Sequence, residues 1–468
     1  MKALRVTVKS ANANELMETV RAFEPYIDLR GDAETFFQYS DFVEDGKIVI
    51  KLEFSGREAE ILSYALPADK ILNKKLSRRF GRCAIYRVLK EFSGERLPYG
   101  SLTGVRPTKL YYELLGDGAG ADKVFSEVFD VTPEKINHIK NIVQNQKGIL
   151  NASEKEVDVF VNIPFCPTRC AYCSFVAVSM KQLSKYLESY VNCLKKEISI
   201  IKNVIFENNF NVRAVYFGGG TPTSIPVHML KELIESCDFN AAEFTVEAGR
   251  PDTVNREVLD MMAAAGVTRI SINPQTFNDK TLKLIGRGHT VEETLRAYDL
   301  ARNYKFIINM DLITALPDES FGDFKYSLDK AAELSPENIT VHNLSLKRGS
   351  ALTVSNFAAE DYKTARKMVD YSVETLEKHG YRPYYMYRQK YNTGNLENSG
   401  YAKPDCECVY NVDIMEENAS IFAAGAGAIS KRIFKDVNRL ERLANIKDVK
   451  GYIERFDERE ARIRGFWK

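Results

Sequence analysis

Six short apolar runs between residues 157 and 344, each separated from the next by a helical pattern, predict an α/β fold built as an open, partial (β/α)6 barrel. Three observations carry this prediction. Strand-helix alternation of this kind connects parallel sheet with helices outside. Polar residues that would be costly to bury sit at or near the ends of the runs, where ligands lie in such folds. A C-x3-C-x2-C array follows directly on the first run. An α+β domain over residues 1–150 is expected before the barrel (151–350), and a small α/β extension (351–468) after it.

With 468 residues the chain is long enough for two or three domains and needs no staples to bury its cores. Its 65 basic residues against 64 acidic ones leave a net charge of +1, so no global field draws it to nucleic acid or an anionic membrane. The N-terminus Met1-Lys-Ala-Leu-Arg-Val-Thr-Val lacks the apolar segment of a signal peptide, and no run is long enough to span a bilayer. The expectation is a cytoplasmic protein whose eight cysteines are reduced.

Taken in order, Ala3 to Val8 and Gly46 to Phe54 alternate apolar and polar residues as half-buried strands do, and flank a helical stretch near Asn14 to Phe23. Leu76, Phe80, Ala84, Val88 and Phe92 recur every four residues and predict an amphipathic helix. Gly116 to Gly120 breaks the next helix; a helical piece from Pro133 to Gln146 leads to a polar linker near Asn151 to Glu156. Leu102-Thr-Gly-Val-Arg-Pro-Thr-Lys109 joins a glycine turn to Arg106 and Lys109, and is read either as a functional loop or as a plain helix entry at Pro107.

The barrel strands are expected at Val157 to Ile163, Ala214 to Phe217, Glu243 to Glu247, Arg269 to Asn273, Ile307 to Ile313 and Asn338 to Leu344. After the first come Cys166, Cys170 and Cys173. Three thiolates at this spacing hold three corners of a 4Fe-4S cubane and leave its fourth iron open to a small ligand. The competing reading is a structural zinc site, which needs four ligands, and the segment after Cys173 offers no fourth before Cys193. After the second strand, Gly218-Gly219-Gly220-Thr221 lets backbone approach a ligand, or makes a tight turn. Glu247, Gln275 and Asp311 fall at or near strand ends, and Arg287 supplies a cation that could pair with a carboxylate. Singly each is as well read as a cap or anchor; in succession they mark a site.

The cysteine array with Tyr172 before its last member resembles the signature of radical S-adenosylmethionine (SAM) enzymes. Ile-Pro-Phe-Cys166, the GGGTPT turn, Arg269-Ile-Ser-Ile-x-x-Gln275, Gly-Arg287 and Asp311-Leu-Ile-x-x-Leu-Pro317 resemble the oxygen-independent coproporphyrinogen III dehydrogenases. The resemblance implies that Cys166, Cys170 and Cys173 bind a 4Fe-4S cluster and take part in catalysis. It assigns Tyr172, Gly218, Gly219, Gly220, Thr221, Glu247, Gln275, Arg287 and Asp311 to S-adenosyl-L-methionine. It implies heme or porphyrin biosynthesis: a radical cleaved from SAM removes hydrogen from the propionates of a tetrapyrrole, which become vinyl groups. An electron donor such as flavodoxin or ferredoxin is implied as partner. Three positions depart from that family: Phe175 stands where it has a further cysteine, and Phe160 and Asn162 where it has Tyr and His.

In the last third, Tyr381-Arg-Pro-Tyr-Tyr-Met-Tyr-Arg388-Gln-Lys390 is read either as a cover for a flat macrocycle or as an edge strand. Lys347, Arg348 and Arg388 are the candidate cations for substrate carboxylates; His342 is a buried or a pocket histidine. Cys406 and Cys408 have no further pair nearby and are taken as incidental. Heme chaperones of the superfamily carry His-Asn-x-x-Tyr where this chain has Tyr410-Asn-Val-Asp-Ile414. Gly394 to Asn398, Ile414 to Glu417, Gly425 to Ala428 and the Leu102–Lys109 phrase resemble instead the HemZ-type branch.

Overall fold

In the computed structural model the chain is described except at residues 56, 66–68, 104–105, 117, 119, 174–177, 181–183, 346–361, 390–394 and 438. It divides into two compact units where three domains were expected: Met1–Asn141 with Tyr387–Leu396, and Ile142–Met386 with Glu397–Lys468.

The first unit carries a five-stranded sheet of β1 (Lys2–Lys9), β2 (Ile27–Leu29), β3 (Phe36–Glu44), β4 (Lys47–Phe54) and β5 (Arg57–Ala65), in the order β2-β1-β3-β4-β5. β1 and β4 were expected; β3 runs parallel to β1 and antiparallel to β4. Leu4, Phe37, Tyr39, Ile50 and Leu52 form one face of the core. The Ala13–Arg21 helix and the long Lys70–Ser93 helix cover it. Of the expected four-residue ladder Ala84 is fully buried and Phe80, Val88 and Phe92 pack partly buried against the same core, while Ile85, Tyr86 and Leu89 widen the buried stripe. At 3.6 residues per turn a four-residue step drifts about 40° each time, so residues beside the ladder share its buried face.

The second unit is organised on an 11-stranded sheet. Its centre is the six expected strands, all parallel: β6 (Glu156–Ile163), β9 (Asn211–Gly219), β10 (Glu243–Val246), β11 (Arg269–Ser271), β12 (Ile307–Thr314) and β13 (Asn338–Asn343). Phe165–Cys166 (β7) and Val178–Ser179 (β8) make a separate two-residue pairing in the cysteine region. Val157, Val159, Val161 and Ile163 share a core with Tyr190, Leu194, Ile198 and Ile201 of the Leu187–Glu207 helix. The alternate positions Asp158, Phe160 and Asn162 therefore lie on the other face, inside the barrel.

The C-terminal region does not form a domain of its own. β14 (Arg382–Arg388) and β15 (Glu397–Ala402) extend the sheet beyond β13, with β15 antiparallel to it. At the opposite edge β16 (Ser420–Ala424) runs parallel to β6, from Ser420 beside Val157 to Ala424 beside Val161. β17 (Ile429–Phe434) and β18 (Arg439–Ala444) follow it antiparallel. The sheet ends at β14 and β18 and does not close, as expected of a partial barrel. Among the described residues no helix is long and apolar enough to cross a membrane.

The Val409–Glu416 helix occupies the amino end of the barrel. Glu243, first residue of β10, accepts from the backbone amides of Val409 (2.9 Å) and Tyr410 (3.0 Å), a carboxylate at a helix N-terminus. Arg269, first residue of β11, pairs with Glu243 at 3.4 Å and donates to the carbonyls of Cys406 (3.0 Å) and Glu407 (2.9 Å). The site is left to the carboxyl end.

Candidate active site

The three cysteines lie on the loop after β6, and its neighbours hold it from two sides. The Gly218–Thr221 turn is hydrogen-bonded back onto that loop: the Gly220 amide donates to Ile163 (2.9 Å) and the Thr221 amide to Phe165 (2.7 Å). A Cβ on Gly220 would stand 2.5 Å from the Phe165 carbonyl oxygen, so this approach requires a residue without one. On the other side Ala171 donates to Ile285 (2.8 Å), and Thr168 to the Gly286 carbonyl (3.3 Å). Cys166, Cys170 and Cys173 form no disulfide and are half-buried. Burial pushes the Cys166 thiol up; Thr221, whose hydroxyl donates to Sγ at 3.5 Å, opposes this, while Cys173 and Cys170 add to it.

Among the described residues no three His, Cys, Asp or Glu side chains are drawn together as ligands of one metal ion. A 4Fe-4S cluster takes its thiolates one to an iron, on different corners of a cubane, and so needs them farther apart than a single ion does. Three half-buried thiols on a pinned loop, with no fourth beside them among the described residues, suit that cluster better than a closed zinc site.

The carboxyl ends of the strands carry a polar layer. Glu247, just past β10, accepts from the Tyr216 hydroxyl at 2.6 Å. Burial pushes its carboxyl up to about 7; Tyr216 and the Gly219 amide oppose this, and the charge of Asp311 adds to it. Asp311 in β12 behaves oppositely. Burial would raise it, but His342 at 3.6 Å and hydrogen bonds from Asn309 and Thr340 outweigh burial and hold it below the usual carboxylate range. Asn273 also donates to Asp311 at 2.7 Å. Two carboxyl groups of one layer are thus pushed apart, one toward the acid and one toward the anion.

Gln275 has φ of 65°, and its backbone amide donates to the Asp311 backbone carbonyl (2.8 Å) while its own backbone carbonyl accepts from the Ile313 amide (3.0 Å). A left-handed residue other than glycine costs about 1–2 kcal/mol, which these two ladder bonds offset. Arg287 donates to the Gly249 carbonyl at 3.1 Å and is hydrogen-bonded to Tyr172. Its Nε is buried without a hydrogen-bond partner, an orphaned donor beside the cysteine loop. That donor, with the Glu247 carboxyl and the glycine cradle, suits an amino-acid head group of the kind SAM carries. His289 is held neutral: burial pushes it down to about 3, helped by Arg287 and Arg250.

The other expected residues separate. Lys347, Arg348 and Phe175 lie outside the described residues. Arg388 belongs to the first unit, where its guanidinium donates to the carbonyls of Leu102 and Asn395 and lies 4.2 Å from the Tyr99 ring. It is spent on carbonyls and a ring. The tyrosine-rich stretch is the edge strand β14, as one of its two readings had it, but most of its side chains are buried rather than exposed. Cys408 donates to Glu243 at 3.3 Å and Cys406 uses its carbonyl, so both serve the fold.

Sequence reasoning did not single out Tyr216 as a site residue, nor what Phe160 and Asn162 do. Phe160, Tyr216 and Tyr410 stack, with centroids 6.2 Å apart for Phe160–Tyr216 and 4.4 Å for Tyr216–Tyr410. Asn162 donates to the Ala426 carbonyl, and a Cβ on Gly219 would fall 1.7 Å from its Oδ1. A signal existed: Gly218 and Tyr216 lie two apart on one strand, hence on one face.

The Radical SAM superfamily model matches residues 161–331. The chain thus carries a radical SAM domain and is a protein of the oxidoreductase kind. Over 388 residues the chain is 41% identical to the oxygen-independent coproporphyrinogen-III oxidase-like protein HemZ of Bacillus subtilis, covering 79% of this chain and 77% of that one. The chain belongs to the HemZ family. It is also 28% identical, over 280 residues, to the heme chaperone HemW of Bacillus subtilis, covering 58% of this chain and 69% of that one. Among solved structures, coproporphyrinogen III oxidase HemN from Escherichia coli aligns with a TM-score of 0.52 at 22% identity, over 67% of this chain and 72% of that one, a likeness of fold.

Proposed function

We propose that this chain is an oxygen-independent coproporphyrinogen III dehydrogenase, which decarboxylates propionates oxidatively to vinyl groups in porphyrin biosynthesis. The observation that carries the reading is the carboxyl-end layer, where Glu247, Asp311 and the Tyr172–Arg287 pair adjoin the loop of three cysteines. Cys166, Cys170 and Cys173 would hold the 4Fe-4S cluster, and Gly218–Thr221, Glu247, Gln275, Arg287 and Asp311 would hold SAM. Bound together, these groups would supply hydrogen-abstracting radical chemistry, given an electron from a donor of the flavodoxin or ferredoxin type. The chain's own share is positioning. Glu247 accepts from an ammonium, Arg287 pairs with a carboxylate, and the Phe160–Tyr216–Tyr410 stack keeps water from below. Lys347 and Arg348 would take substrate carboxylates.

Arg287→Ala is expected to weaken SAM binding about ten- to a hundredfold with iron content unchanged, since it removes a charge-assisted pair. Equal affinity in equilibrium binding would remove Arg287 from the pocket.

The function is tested anaerobically with reconstituted chain, SAM, reductant and coproporphyrinogen III. The expected result is 5'-deoxyadenosine and carbon dioxide in a ratio near one, lost when Lys347 and Arg348 are both neutralised while SAM still binds. The HemW likeness supplies the rival reading, a heme carrier. Against it, Tyr410 is buried in the stack where those chaperones have histidine. Stoichiometric heme binding with no carbon dioxide would sink the dehydrogenase.

A further inference from the structure

His342 has no part in the function proposed above, yet it stands within the polar layer. On β13 the alternate residues Ile339 and Val341 enter the core shared with the helices, so Thr340 and His342 face the other way, toward the inside of the barrel. Thr340 lies in register with Asp311 of β12, and His342 stands two positions nearer the carboxyl end, in register with Ile313. Its side chain is 27% exposed and that of Asp311 20%, so both open onto the site and neither closes a core.

Two amides fix the Asp311 carboxylate. Asn309 donates to Oδ1 (2.8 Å) and Asn273 to Oδ2 (2.7 Å), while the Asn273 oxygen accepts from the Asp311 backbone amide (3.2 Å). The Thr340 hydroxyl donates to the Asn309 oxygen (3.1 Å), which turns the Asn309 nitrogen toward the carboxylate. A carboxylate accepts about four hydrogen bonds, so this frame leaves capacity for a ligand. The amides are neutral, however, and a half-buried anion also needs a counter-charge. His342 Nε2 lies 3.6 Å from Oδ2 and supplies one when protonated. Burial raises the Asp311 carboxyl, and the charge of His342 is the foremost of the causes that outweigh it. Other ionisable groups within reach of the Asp311 charge are Glu247, Arg287 and the Tyr216 phenol.

We propose that His342 is a positioning residue of the SAM site, acting through Asp311 by orienting that carboxylate and supplying its counter-charge. The inference rests on the reading above that Asp311 holds SAM. With the histidine gone, burial weighs more heavily on Asp311 and its carboxyl moves up. Binding that needs the Asp311 anion is then lost at a higher pH as the solution is acidified. Glu247, pushed up to about 7, titrates in the same range, but it does so with or without His342.

The test is equilibrium binding of SAM to the reconstituted full chain between pH about 8 and about 6, with iron content measured on every sample. His342→Ala is expected to bind SAM nearly as the parent does at the upper pH and about tenfold more weakly at the lower, with iron unchanged. His342→Gln keeps a donor without a charge and should fall between; it carries the same comparison if the alanine variant does not retain iron. Asp311→Asn should weaken SAM binding about tenfold at either pH. Adding His342→Ala to it should cost nothing further, because a residue that acts through Asp311 then has nothing to act on. Binding that matches the parent at both pH values, a loss independent of pH, or additive losses in the double variant would overturn the inference and leave Asp311 in the SAM site. Undiminished binding in Asp311→Asn would remove Asp311 from that site and the role of His342 with it. No porphyrinogen enters the measurement, so failure of the proposed reaction in its own assay is read separately.

Discussion

Replacing any one of Cys166, Cys170 or Cys173 with Ala is expected to abolish the visible absorbance of the reconstituted cluster and SAM cleavage with it, while Cys406→Ala and Cys408→Ala keep both. The argument rests on different environments for thiols of one chain. The three lie half-buried on a loop pinned at Ala171 and Thr168 and share no disulfide. With only three ligands for four irons, losing one leaves two, too few to hold a cubane against loss of iron. Cys408 is buried, its thiol pushed well up by burial and by the charge of Glu243, and a thiolate is what a metal requires. Iron analysis and absorbance of each variant check this. Iron lost from the Cys406 variant would overturn the assignment.

The largest loss of stability is expected from Glu197→Ala. This carboxylate lies fully buried on the Leu187–Glu207 helix and accepts from the Gly425 amide (2.8 Å), Asn445 (2.8 Å) and the Tyr452 hydroxyl (2.6 Å). Arg459 is 3.4 Å away, itself buried, with its guanidinium 3.8 Å from the Tyr452 ring. Removing the acceptor leaves a buried cation unpaired and three donors without their partner, a loss of about 3–5 kcal/mol. Glu197→Gln keeps the shape but not the charge and is expected to fall between. Denaturant midpoints measured at constant m-value test the order. A shift under about 1 kcal/mol for the Ala variant would show that water or a rearranged Arg459 replaces the carboxylate.

What could be read beforehand divides along a physical line. Patterns local in sequence were legible: the six parallel strands, the cysteine loop, the glycine turn, and polar residues at strand ends all depend on neighbours a few positions away. Partners distant in sequence were not. Phe160 and Tyr410 each appeared as a departure from a related family, yet they lie 6.1 Å apart in one stack. β16 was not expected because a short apolar run, Ile421 to Ala424, followed by Gly425-Ala-Gly states no pairing partner. β3 and β5 were passed over between expected elements, and the tyrosines of β14 gave strand propensity without telling which face was covered. Arg388 looked available for substrate because a sequence does not show which carbonyls a guanidinium will meet.

The pairing of β16 with β6 has a consequence for how the chain is made. β6 is the first strand of the barrel to leave the ribosome, and its Val157, Val159 and Val161 are among the most β-prone side chains in the protein. One of its edges is met by β9 about 50 residues later; the other waits for Ser420–Ala424, more than 250 residues on. Through that interval the nascent protein carries an open, valine-rich ladder with nothing to cover it, the kind of edge on which chains add to one another. A ribosome stalled or a message cut before residue 420 releases a species in that condition. The late strand acts as a seal applied last, and the loop of three cysteines hangs from the strand that stays unsealed longest.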